Sequence, residues 1–73
     1  MNNLDWEKLS FEQKKYNLRY WIFNQTKSNA ISVHDGMVLD KMALEAIQAA
    51  ERFLDEAYLT NFAHACGFIP NDN

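Results

Sequence analysis

The strongest constraint on the fold is the apolar pattern of the C-terminal half. Leu39, Ala43, Ala46, Ala50, Phe53 and Ala57 recur at spacings of 4-3-4-3-4, with Met42, Ile47 and Leu54 alongside. The opposite stripe carries Lys41, Glu45, Gln48, Arg52 and Asp55 or Glu56. Residues three and four apart share one side of an α-helix, so the segment reads as an amphipathic helix with a buried face. Its end is marked by Gly67, which accepts the left-handed backbone that closes a helix, followed by Phe68, placed to fold back on Phe62 or Ala63, and by Pro70, which stops continuation. One rod over residues 36–66 would be about 45 Å long. Thr60 or Asn61 can cap a separate last helix, which would put a bend near Leu59.

A second helix is expected upstream. Ser10-Phe11-Glu12-Gln13 forms a capping box, in which the serine hydroxyl accepts a first-turn amide and Gln13 reaches back. Residues 11–25 then run without glycine or proline. Phe11, Leu18 and Ile22 lie on one stripe, with Tyr16, Tyr20, Trp21 and Phe23 beside it. Residues 18–23 and 30–33 are also strand-prone, with residues 25–29 as the turn of a competing hairpin. The formed cap and the lack of a period of two favour helix. Residues 29–34 are expected to be irregular, with Ser32 or Asp35 capping the next helix, and Asn3 is a candidate cap for a short N-terminal turn.

Size sets the remaining bounds. With 73 residues the chain is one small domain over residues 1–73, and a core of that size rarely supplies more than about 3–5 kcal/mol. An apolar fraction of 48% with ten aromatic residues excludes a disordered tail. The single Cys66 excludes an internal disulfide framework and a multi-thiolate zinc site. No apolar run approaches the ~20 residues of a membrane span, and residues 1–5 do not open a secretion signal, so a soluble, cytoplasmic protein without membrane partners is expected.

The expected fold is all-α: a small helical hairpin or three-helix domain with a long C-terminal amphipathic helix, completed by dimerisation. The first helix is about half as long as the 36–66 segment and leaves part of its apolar face to Trp6 and Leu9, to a folded-back last helix, or to another chain. Wetting several such side chains would forfeit several kcal/mol at about 25 cal/mol per Å². The small residues Ala43, Ala46, Ala50 and Ala57, with Phe53, are the candidates for self-association in a homodimer, because small side chains let helix axes approach and symmetric dimers use self-complementary patches.

Catalytic signals are missing. His64 and Cys66 are two apart and point about 200° away from one another on a helix, so they do not share a metal ion. No phosphate loop, dinucleotide fingerprint, calcium loop or nucleophile turn occurs, and neither an enzyme nor a cofactor is expected. Residues 59–68 look like the start of a helix-turn-helix, but too little chain follows for a recognition helix.

Charge divides the chain: residues 1–27 sum to +2 and residues 28–73 to −5, for a net −3. The leading expectation is therefore a non-enzymatic protein-binding module, a small acidic inhibitor, antagonist or regulator that acts by stoichiometric binding. Tyr20, Trp21, Phe23, Tyr58 and Phe62 are its candidate anchors, and Glu51, Asp55 and Glu56 would steer a basic partner. An RNA-binding hairpin using Lys14, Lys15, Arg19 and Lys27 is the alternative, and a structural assembly subunit the third.

Overall fold

A computed structural model describes residues 6–69, and no strand occurs among the described residues. Residues Trp6–Lys8 form a 3-10 turn, followed by helices α1 (Phe11–Lys27), α2 (Val33–Phe53) and α3 (Ala57–Ala65). The helical reading of residues 11–25 holds and the competing hairpin over residues 18–33 does not form. The cap at Asn3 and the stop at Pro70 lie outside the described residues.

Local chemistry accounts for most boundaries. Ser10 accepts the Gln13 amide at 3.2 Å while the Gln13 side chain accepts the Ser10 amide at 2.9 Å, closing the capping box at the head of α1. Ser32 rather than Asp35 caps α2, accepting the Asp35 amide at 3.0 Å. The helix thus starts at Val33, and Val33 and His34, expected to be irregular, are already helical. Gly67, at φ +89°, ends α3. Its amide donates to the His64 carbonyl and that of Phe68 to the Ala63 carbonyl, the paired bonds of a glycine-terminated helix.

The long C-terminal rod is corrected. Helix α2 ends at Leu54, which takes a left-handed φ of 52° that costs a non-glycine residue roughly 1–2 kcal/mol. The Asp55 amide donates to the Ala50 carbonyl, and the Asp55 carboxylate accepts the Ala57 amide at 2.9 Å, opening α3. The break falls five residues before the bend expected at Leu59. Its reward is the return of α3 along α2, which buries Leu59 completely, worth about 1.5–3 kcal/mol for that side chain alone. The longest dimension of the molecule, 32 Å, would not hold the single rod.

The core therefore closes inside one chain. Leu18 and Ile22 of α1, Ala43, Ile47 and Ala50 of α2, Leu59 and Ala63 of α3 form it, and Trp6, Phe68 and Ile69 seal the end. Trp6 meets Phe68 edge-on with centroids 5.8 Å apart, and its indole N–H donates to Thr60 Oγ1 at 3.1 Å. Lys14 is only 7% exposed; its ammonium stands 5.5 Å from the Trp6 ring centre and 2.8 Å from a Glu56 carboxylate oxygen. That pair ties the N-terminal turn, α1 and the head of α3 together.

Of the three covers expected for the apolar face, this closure supplies two, the N-terminal turn and a folded-back last helix. The 3-10 turn and α3 cover part of the stripe that needed covering: Leu59 is sealed and Phe62 half-buried, whereas Tyr58 stays exposed. Ala43 and Ala50, expected to face a second copy, are sealed in the core, whereas Phe53 and Leu54, expected on the buried face, are exposed.

Candidate protein-binding groove

With the core formed, a subset of the bulky apolar side chains still outside it defines the candidate site. Tyr16, Tyr20 and Phe23 of α1 and Val33 and Met37 of α2 are each more than half exposed. They line an open groove of about 430 Å³ along the outer seam of the two helices. Both sets repeat at three or four residues, so each presents one continuous edge from its own helix.

The floor of the groove is set by the closest approach of the helices. Gly36 packs against Thr26, whose hydroxyl donates to the Ile22 carbonyl at 3.2 Å, and a β-carbon at position 36 would collide with that hydroxyl. Buried Ile22 completes the floor. Above it, Arg19 and Asp40 bridge the helices by two bonds, Nε to Oδ1 at 3.0 Å and Nη2 to Oδ2 at 2.9 Å. The carboxylate hydrogen bonds raise the Arg19 pKa above its ordinary value, and the pair holds the seam while leaving the apolar walls wet. Tyr16 and Tyr20 stack nearly parallel, 9° between planes and 5.8 Å between centroids, forming a flat aromatic wall.

The expected anchors separate into several places. Tyr20 and Phe23 stand in the groove. Trp21 does not: it is half-buried against Phe68 at 5.2 Å. Phe62 is half-buried against the core. Tyr58 is exposed and packs on Phe53 at 5.4 Å, away from the groove. Tyr16, Val33 and Met37 were missed; their i, i+4 spacing to Tyr20 and to one another was visible, but the register that brings the two helices together was not.

The expected charged residues are engaged within the chain. Glu56 binds Lys14, Glu51 lies 3.4 Å from Lys15, and Asp55 accepts the Ala57 amide at the head of α3. Lys15 also meets Glu12 at 2.9 Å, and this bond, with that to Glu51, raises its pKa. Of the cations of the RNA reading, Lys14, Lys15 and Arg19 all face carboxylates, and Lys27 alone is exposed without an ion pair among the described residues. The charge asymmetry between the two halves is thus largely spent in stitching α1 to the acidic remainder.

Among the described residues no cluster of three or more His, Cys, Asp or Glu side chains is arranged to hold a metal, and no helix is long and apolar enough to cross a membrane. Cys66 is half-buried at the end of α3, and burial pushes its thiol pKa up. The Nδ1 atom of His64 is buried with no hydrogen-bond partner among the described residues. Comparison with protein-family models, curated proteins and solved structures finds no match to this chain.

Proposed function

We propose that this protein is a non-enzymatic binding module that captures another protein in the α1–α2 groove and acts on it as a stoichiometric inhibitor or regulator. One observation carries this reading. The core is complete, yet five bulky apolar side chains, two of them stacked tyrosines, line a concave surface that packing within the chain does not use. Contiguous exposed apolar surface of this kind marks interaction sites, and aromatic residues in clefts dominate interface energetics.

The occupant best suited to the groove is an amphipathic segment of the partner that lays apolar side chains between Tyr20 and Met37. The net charge of −3 favours approach of a basic surface. Cytoplasmic residence and assembly as a homodimer belong to the same proposal. Engagement of Lys14, Lys15 and Arg19 by carboxylates weighs against the RNA alternative, because phosphate contacts would have to displace existing ion pairs.

Affinity capture from the native host, repeated with Tyr20→Ser and Phe23→Ser, tests the reading. A partner recovered near 1:1 with the native protein should be lost with either variant, each weakening binding about 30-fold or more as interface hot spots do. Equal recovery by native and variant proteins would exclude the groove, and RNA in place of protein would move the function to α1.

A further inference from the structure

Helix α2 has a second open flank, roughly opposite the one that carries Asp40 and Glu51 toward α1. Leu39, Met42, Ala46, Ala49 and Phe53 follow one another there at spacings of 3-4-3-4, the repeat that packs one helix along another. Leu39 is half-buried against the core, Met42 and Phe53 are exposed, with the Phe53 ring 5.4 Å from that of Tyr58, and Ala46 and Ala49 between them are half-buried. The flank is therefore narrow at its centre and bulky at both ends.

Two charged residues decide what fits it. Glu45 and Arg52 border the stripe on the same edge, each just before an apolar position, and both are exposed. Neither has an ion-pair partner among the described residues, unlike the cations that join α1 to α2 and α3. The other edge of the stripe is Ala43 and Ala50, already sealed in the core.

We propose that this flank binds a second copy of the chain, with the two α2 helices antiparallel about a two-fold axis between Ile47 and Gln48. Met42 then meets the second copy's Phe53 at either end, and Ala46 meets Ala49 in the middle, where small side chains admit close approach. In an antiparallel pair like edges face each other, so Glu45 lies against the second copy's Arg52, and symmetry repeats the pair. A parallel pair would set Glu45 against Ala50 and leave both charges unmatched. The proposal rests on the homodimer named above and gives it a geometry; both α1–α2 grooves stay free on the outer sides, which makes the assembly bivalent for its partner.

Sedimentation equilibrium of the native protein from about 1 µM to 1 mM, spanning the affinities expected of a small interface, measures the association. Glu45→Arg and Arg52→Glu each place two like-charge pairs in the contact and should weaken it about tenfold at low salt, with circular dichroism unchanged. The double variant Glu45→Arg/Arg52→Glu re-creates both pairs in reversed polarity and should return to within about threefold of the native constant. A native protein monomeric throughout would overturn the homodimer and this geometry together. A dimer that ignores the single reversals, or that the double variant fails to restore, would overturn the geometry and leave the homodimer standing.

Discussion

The two sides of α2 treat side-chain size in opposite ways. On the inner side the residues are small, Gly36, Ala43 and Ala50 with Ile47 the exception, and all four are buried. On the outer sides stand Val33, Met37, Val38, Met42 and Phe53, all exposed. An apolar helix face ordinarily buries its bulk and leaves small residues at the margin. Here the small residues draw α1 and α3 close against α2, and the large ones are left for something other than the core. Apolar content alone was therefore a poor guide to which positions are structural.

If that contrast is right, substitutions should divide by side, and the largest effect belongs to the seal. Trp6→Ala removes a ring packed on Phe68, a hydrogen bond to Thr60 and the surface under Lys14. It should cost about 3–5 kcal/mol, enough to abolish the cooperative thermal transition of so small a domain by circular dichroism. Next comes the pinch between α1 and α2. Gly36→Ala must push Thr26 aside and should lower stability by about 1–3 kcal/mol in urea titration, while Gly36→Ala paired with Thr26→Ala should recover much of the loss.

Relief is expected at the α2–α3 corner. Leu54 is 92% exposed and left-handed, so Leu54→Gly gives up almost no packing and should raise stability by about 1 kcal/mol or somewhat less. A loss of stability there would show that the leucine is bound by contacts the fold does not display. The smallest effect should come from the groove, where Phe23→Ser should stay within about 0.5 kcal/mol of the native protein. A larger penalty would mean that the groove wall is structural after all.

Titration gives an independent check on the sealed end. Because burial raises the Cys66 pKa, the fold favours the neutral thiol. That contribution is complete below the ordinary thiol range near about pH 8.5 and is lost as pH rises through the higher folded value. Alkylation of Cys66 should accordingly be slower in the folded protein than in urea at mildly alkaline pH, with the difference narrowing as pH increases.

What could be read from the sequence is what depends on neighbours along the chain. The Ser10–Gln13 box, the Gly67 terminus and the helical character of all three long segments follow from residues within a turn of one another. The break at Leu54 could not be read, because no glycine or proline marks it and Asp55, whose carboxylate accepts the Ala57 amide, fits the wet stripe of an unbroken helix equally well. Its local cost is offset by burial of Leu59 and Ala63 against residues far back in the chain. The sorting of the alanines failed for the same reason: Ala43 and Ala46 look alike until the approach of α3 makes one of them core. Of the site, Tyr20 and Phe23 were legible as aromatic excess, while Val33 and Met37 joined them only through the hairpin register. The charge asymmetry was legible, but its destination was mostly within the molecule.

The meeting of Trp6 with Phe68 has a consequence for the order of events during synthesis. Both ends of the described chain contribute to the same layer, so a nascent polypeptide lacking residues 68 and 69 leaves the Phe68 side of Trp6 uncovered. The helices can form as they emerge, but the side chains of this layer cannot settle until the turn at Gly67 is made. Native packing of this layer should therefore be gained in one late step, after residues 68 and 69 have emerged, and until then the aromatic residues of the layer are open to whatever first passes by.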